Sequence, residues 1–451
     1  MKRAAALLMA CMLFFTTFAM AEMAEPVEAI VGLLLQEGGA AQVHGMMAED
    51  VRNAMSVDAV AAIWPQFEAL GGEYIGLLDD AKQTETQGYI VHTRTLHFKQ
   101  SFFQCQVTMD EHGTIWGLWF APVTFSFTGK EKSSDSFIEE EVTIGHEPWT
   151  LPGTLTLPAD LDGPVPAVVL VHGTGVTDRD ETIGSIRPFR DLAEMLAEKG
   201  IATIRYDKRT YVYGAEIAGL EDYATFSVED EFIQDALAAA ALLKQDARID
   251  PERIYVLGHS MGGMLAPRIV YESDGAFCGM ILACATDKSI IDVIFRQNED
   301  AVANSNMTEE YAAEQYAMLE TVRQQTAELM AMSAEEVTKY TLFNAPAFYY
   351  WELDKRPKAS EYMTHLAVPT LIINGSRDFQ VTPEEGRETW ESVLDLSAPW
   401  LTTLWADVNH MMMAPEVDEA IAGTQLEYSV ECRVEQEIID GIASFILNTE
   451  E

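Results

Sequence analysis

Ser260 stands in Gly258-His259-Ser260-Met261-Gly262, after the strand-like run Arg253-Ile254-Tyr255-Val256-Leu257 and ahead of a helical pattern. A turn that sharp between strand and helix brings backbone to where side chains would stand, so it calls for glycine on both sides and leaves the serine exposed at the top of a sheet. A serine hydroxyl is a weak nucleophile near neutral pH. It needs a general base within hydrogen-bond reach, itself oriented by a carboxylate. Of nine histidines, His410 in Asp407-Val408-Asn409-His410-Met411 follows the last predicted sheet strand, where a loop can return it to the top of the sheet. His365 precedes a strand and falls at the opposite edge, His259 is expected to turn its side chain away, and His92 and His97 sit in strands with no Ser, Cys or carboxylate constellation nearby. The acid is expected at Asp378, directly after the strand ending Ile372-Ile373-Asn374-Gly375; Asp407, three residues before His410, is the alternative and reads as a turn residue. Negative charge developing on an attacked carbonyl needs fixed donors, each worth about 3 kcal/mol. His172-Gly173-Thr174-Gly175 follows an apolar strand, and the backbone N–H groups of Thr174 and Met261 are the predicted pair.

The elements that must position these residues follow from periodicity. Ala167-Val168-Val169-Leu170-Val171 is a continuous apolar run, as a parallel strand buried on both faces requires. Strands at 201–206, 253–259, 279–283, 370–373 and 400–405 alternate with helical patterns such as Leu192–Leu196 and Asp235–Leu243, and 141–144 pairs with 151–157 at a sheet edge. That alternation predicts an α/β domain with a doubly wound, mostly parallel sheet. Residues from about 286 to 368 break the rhythm with a strand-free helical insertion, placed to be a lid, in which Phe348, Tyr349 and Trp351 are candidate substrate contacts. Ahead of all this, residues 26–127 read as a separate α+β domain: helical spacing to about Gly76, then strands at 89–98, 102–109 and 114–120 with a turn at Asp110-Glu111-His112-Gly113. A polar linker is placed at 128–137, and the second domain runs from 138 to 451.

Composition sets bounds. Lys+Arg 29 against Asp+Glu 72 gives a formal charge of −43, which repels phosphate backbones and argues against nucleic acid as a partner. Lys2 and Arg3, an apolar run from Ala4 to Phe18 and Ala19-Met20-Ala21 read as a secretory signal, residues 1–21, and not as a membrane span, so the mature chain is expected outside the cytoplasm. Lipid anchoring at Cys11 is disfavoured because the apolar run continues past it. Cys105, Cys278, Cys284 and Cys432 are too scattered for a disulfide scaffold and lack metal-ligand spacing, so buried thiols and no metal are expected.

Three further stretches carry a family resemblance: Gly173-Thr174-Gly175-Val176-Thr177-Asp178-Arg179-Asp180-Glu181-Thr182-Ile183-Gly184, Arg205-Tyr206-Asp207-Lys208-Arg209-Thr210 and Arg377-Asp378-Phe379-Gln380-Val381. With the elbow, they make residues 138–451 resemble an α/β-hydrolase of the bacterial secreted carboxylesterase and serine aminopeptidase-like type. That type carries an amino-terminal domain of unknown function similar to a nuclear-transport-factor-like cone. The resemblance implies hydrolysis of a small-molecule ester with a short or medium acyl chain, through an acyl-enzyme and without cofactor. Two departures stand out: Val176 where proline is expected, and Thr210-Tyr211-Val212-Tyr213-Gly214 in place of a glycine-rich continuation. The charged residues Asp178, Arg179, Asp180, Arg205, Asp207, Lys208 and Arg209 have two readings, substrate selection or an ion-pair network pinning loops over the sheet; the second accords better with the pairing of half-buried charges. A peptidase, acyltransferase or thioesterase with the same triad is the alternative chemistry, and a binding module dominated by the amino-terminal domain is the alternative class.

Overall fold

From residue 26 to 71, apolar side chains recur at helical spacing, and the chain forms the helices Pro26–Leu34, Gly39–Met46, Glu49–Ala54 and Val57–Gly71. The computed structural model describes residues 26–36, 38–71, 74–78, 81–86, 88–98, 102–122, 135–303, 309–417 and 421–448; the predicted leader and most of the predicted linker lie outside the described residues. The chain divides into two compact units, Met1–Ser126 with Ile183–Ile186 and Pro415–Glu431, and Phe127–Thr182 with Arg187–Ala414 and Cys432–Glu451.

In the first unit the helices are followed by β1 (Tyr74–Leu77), β2 (Lys82–Thr86), β3 (Tyr89–Phe98), β4 (Phe102–Met109) and β5 (Ile115–Pro122), an antiparallel sheet in the order β1-β3-β4-β5 with β2 also on β3. Trp64 and Phe67 of the longest helix pack into Phe98 and Phe103, with Trp64–Tyr74 and Phe67–Phe103 ring centroids 5.0 and 4.5 Å apart. This aromatic layer fuses helices to sheet. β1 and β2 correct the expectation of helix up to Gly76 and no strand before Tyr89: β2 is the polar Lys-Gln-Thr-Glu-Thr, which pairs residue for residue with β3 without any apolar alternation to announce it.

The second unit is built on an eight-stranded sheet in the order β15-β14-β11-β10-β8-β9-β7-β6, from β6 (Phe137–Ile144), β7 (Leu151–Pro158), β8 (Val165–Val171), β9 (Ala202–Tyr206), β10 (Ile249–His259), β11 (Gly279–Ala283), β14 (Thr370–Gly375) and β15 (Leu401–Ala406). β6 and β7 are antiparallel at the edge, as expected, and β9, β8, β10, β11, β14 and β15 run parallel. Parallel strands all end on one side of the sheet. The loops beginning at His172, Ser260, Cys284, Ser376 and Asp407 therefore gather at a single edge, the position where open α/β sheets place their sites. Among the described residues between β11 and β14, the regular elements are helices apart from a short hairpin, β12 (Thr341–Leu342) with β13 (Ala345–Pro346), which corrects the expectation of a strand-free insertion.

Candidate active site

Ser260 follows β10 and precedes the helix Met261–Glu272 with φ 52° and ψ −117°, a left-handed backbone that costs a non-glycine residue of order 1–3 kcal/mol. The bend is held by Ser260 N–H donating to Ala283 O at 2.8 Å. The flanking glycines are obligatory: a Cβ on Gly258 would lie 2.1 Å from Gly262 O, and one on Gly262 would lie 2.4 Å from His172 O. The loop after β8 closes on the serine, since a Cβ on Gly173 would stand 3.1 Å from Ser260 Cβ.

His410 and Asp378 come together from the loops after β15 and β14, with Nδ1 2.8 Å from Asp378 Oδ2 and both side chains at most 3% exposed. The other carboxylate oxygen, Oδ1, accepts the Gln380 and Val381 N–H groups at 2.8 Å each, which fixes the acid's orientation. Asp407 instead accepts from Ser376 Oγ at 2.6 Å on the exposed side of its loop. Thr174 and Met261 are also adjacent, Thr174 Oγ1 lying 3.5 Å from Met261 Sδ. Among the described residues neither of their backbone N–H groups donates to a protein acceptor, and Met261, as the first residue of its helix, has none within the helix.

His259 corrects an expectation. Its ring does not turn away from the site but lies against it, 4.8 Å between centroids from the ring of His410, with Nε2 2.8 Å from the His410 carbonyl oxygen. Its Nδ1 stands 3.0 Å from Glu181 Oε2, off the line of a straight hydrogen bond but close enough for an ion pair. Burial disfavours the charged form of His259, yet the Glu181 carboxylate beside it prevails and raises its pKa; burial likewise works to raise Glu181, and His259 prevails to lower it. Glu181 Oε1 accepts the Gly173 N–H at 2.6 Å. In the sequence Glu181 stands only as one member of a charged stretch; its partner lies 78 residues on, and no local spacing signals the pair. The neighbouring His172 is pushed down to about 4 by burial and stays neutral, Nε2 lying 3.0 Å from Asp178 O.

The charges around this loop are paired. Arg179 forks onto Asp207 with two contacts of 3.0 Å and reaches Glu141 at 2.7 Å, and Arg205 joins Asp180 and Glu139 at 2.8 and 2.7 Å. Val176, at the expected proline position, is 64% exposed. Of the aromatic group in the insertion, Tyr349 is a core residue whose hydroxyl donates to Glu231 at 2.7 Å, Trp351 donates its indole N–H to Met332 O, and Phe348 stacks on Trp351. Tyr350 of that group lines a cavity with Met264, Leu265, Ile290, Ile291 and Tyr362.

His259, Cys284 and His410 bring potential metal-ligand atoms within 4.8 Å of one another. The chemistry of the donors argues for a hydrogen-bonded cluster. Both ring nitrogens of His259 and Nδ1 of His410 are engaged, and burial holds the Cys284 thiol far above its ordinary pKa, where it remains a poor ligand. Cys105, Cys278, Cys284 and Cys432 are all unbridged, and among the described residues no helix is long and apolar enough to cross a membrane.

Residues 163–397 match the family described as "Serine aminopeptidase, S33", a span that takes in Ser260 and Asp378 and ends before His410. The chain is 32% identical over 405 residues to esterase EstD of Thermotoga maritima, covering 89% of this chain and 90% of that one. Among solved structures, an esterase of Pyrococcus furiosus superposes with a TM-score of 0.42 at 18% identity, over 70% of this chain and 92% of that chain. A proline iminopeptidase of Mycobacterium smegmatis gives 0.42 at 18%, over 68% and 98%.

Proposed function

The chain belongs to the serine aminopeptidase S33 family of α/β-hydrolases, and from that premise we propose that it is a serine hydrolase cleaving carboxylic esters of short to medium acyl chain. Ser260 Oγ attacks the ester carbonyl while His410 Nε2 takes its proton. Asp378 holds the opposite ring nitrogen and stabilises the imidazolium that forms. The carbonyl oxygen, now an oxyanion, is held by the Thr174 and Met261 N–H groups. Collapse breaks the C–O bond, and the departing alkoxide leaves with the proton from His410. A water molecule, deprotonated by His410, then attacks the acyl-enzyme, and its collapse releases the acid and restores Ser260.

The observation that carries this reading is the buried 2.8 Å contact between His410 and Asp378, on loops that leave the same edge of the sheet as a serine held at positive φ. The relative's name favours esters. The inserted helices leave the sheet between β11 and β14, at the edge where the loops gather, which supports reading them as a lid over the site. The family description favours a second reading, hydrolysis of aminoacyl amides by the same residues. Outside the cytoplasm, the mature chain would meet esters from the surroundings.

The test is a screen of the full chain against p-nitrophenyl esters from acetate to decanoate and against aminoacyl p-nitroanilides. Turnover is expected on esters, peaking at short to medium chains; faster turnover of anilides would replace the first reading by the second. Ser260→Ala is expected to lower kcat by about 10⁶. A fluorophosphonate that labels some other residue would remove Ser260 as the nucleophile.

A further inference from the structure

Gly173 lies between two buried charges. Its carbonyl oxygen accepts from Lys208 Nζ at 2.9 Å, and the same ammonium reaches Gly175 O at 2.8 Å. The amide on the other side, Gly173 N–H, is held by Glu181. Lys208 is 2% exposed, its head 4.2 Å from the centre of the Phe232 ring and 3.4 Å from Glu231 Oε1. Three acceptors thus face the three donors of one ammonium.

Burying that ammonium strips its hydration, and the burial pulls its pKa down. An apolar side chain of similar length would fill the space without that cost. What the ammonium adds is direction. A peptide unit is planar and trans, so its C=O and N–H point opposite ways. With the Gly173 oxygen drawn to Lys208, the Thr174 N–H is turned to the other side of the strand of backbone. The loop borders the nucleophile at this point: a Cβ on Gly173 would stand 3.1 Å from Ser260 Cβ, and Thr174 Oγ1 lies 3.5 Å from Met261 Sδ. A cation on the carbonyl also polarises the amide and strengthens its N–H as a donor.

We infer that Lys208 is a positioning residue for the oxyanion site: by holding the Gly173 and Gly175 carbonyls it aims the Thr174 N–H at the oxygen of the bound ester. The inference rests on Ser260 being the nucleophile. It also gives Tyr349 a place, because that hydroxyl and Thr210 Oγ1, at 2.7 and 2.6 Å, anchor the Glu231 carboxylate that faces Lys208.

The test is Lys208→Met in the full chain, with kcat and KM for p-nitrophenyl butyrate expressed per active site titrated by fluorophosphonate. Affinity for a trifluoromethyl ketone of the same acyl chain is measured alongside. A lost oxyanion donor costs about 10² in kcat, so a loss of that size with KM within about twofold is expected. The ketone, which forms a tetrahedral adduct, should weaken by roughly the factor lost in kcat/KM. A purely structural lysine would lower the melting temperature and leave kcat per site unchanged, and that result overturns the inference. If the methionine variant does not fold, Lys208→Gln, which keeps two donors but loses the charge, decides by the same split: kcat down about tenfold with KM held supports it, and unchanged kcat per site overturns it. Wild-type labelling away from Ser260 would instead sink the hydrolase assignment, and the inference with it.

Discussion

Two histidine–carboxylate pairs lie next to each other at the carboxyl edge of the large sheet. His410 meets Asp378 at 2.8 Å, His259 meets Glu181 at 3.0 Å, and all four side chains are at most 3% exposed. Their chemistry is the same, and their wiring differs. His259 spends one ring nitrogen on Glu181 and the other on the His410 carbonyl, while Glu181 spends its second oxygen on the Gly173 N–H. His410 spends only Nδ1, and among the described residues its Nε2 has no protein partner. An imidazole becomes an acid–base catalyst when a carboxylate fixes one nitrogen and the other is left for the substrate. Saturated on both sides, the same ring is a strut, here joining the loop after β8 to the loop after β15.

Replacing the carboxylates separates the two roles. Asp378→Asn keeps the shape of the first pair and removes the charge that selects the Nδ1–H tautomer, so kcat should fall by about 10⁴ with the fold retained. A loss below tenfold, measured on p-nitrophenyl butyrate, would show that Asp378 is not the orienting acid.

Glu181→Gln should do the reverse, with a loss in kcat at least about a hundredfold smaller than that of Asp378→Asn and a large cost in stability, about 3 kcal/mol for breaking a buried pair. The cost has a pH signature. His259 has a raised folded pKa, so its contribution is full below the ordinary 6.5 and is lost as pH rises through the folded value. Glu181 has a lowered one, so its contribution is present above 4.5 and is lost as pH falls through the folded value. The stability difference between wild type and Glu181→Gln, followed by urea unfolding, should therefore be widest between pH 4.5 and 6.5 and narrow on both sides. A difference that does not change with pH would mean that the pair is not ionised.

Much of the first pair was legible in the sequence because each member carries a local signal: a strand ends, and the candidate residue follows within a few positions. The elbow, Asp378 and His410 are of this kind. Glu181, in the loop after β8, meets His259 at the end of β10, and neither has a neighbour in sequence that requires the other. Lys208 sat in a charged run that reads equally well as substrate contact or scaffold; only its three acceptors distinguish it. The β12–β13 hairpin was hidden for a related reason. Its turn residues Phe343 and Asn344 have φ of 49° and 64°, a geometry usually announced by Asn-Gly or Asp-Gly, and phenylalanine gives no such signal. β2 is polar throughout, so its pairing is set by the neighbouring strand and not by its own pattern.

The smallest effect is expected where nearness in sequence is most misleading. Asp407 lies three residues before His410, nearer than any other carboxylate in the chain, yet it accepts from Ser376 on the exposed side of the loop and takes no part in either pair. An exposed hydrogen bond of this sort contributes about 1 kcal/mol. Asp407→Ala should therefore leave kcat/KM within about twofold and lower stability by no more than about 1 kcal/mol, both read on the same ester and by urea unfolding. A loss approaching that of Asp378→Asn would make Asp407 the orienting acid and leave Asp378 as a turn-forming residue bound to Gln380 and Val381. The contrast between a committed and an uncommitted imidazole would still hold, but with a different carboxylate behind His410.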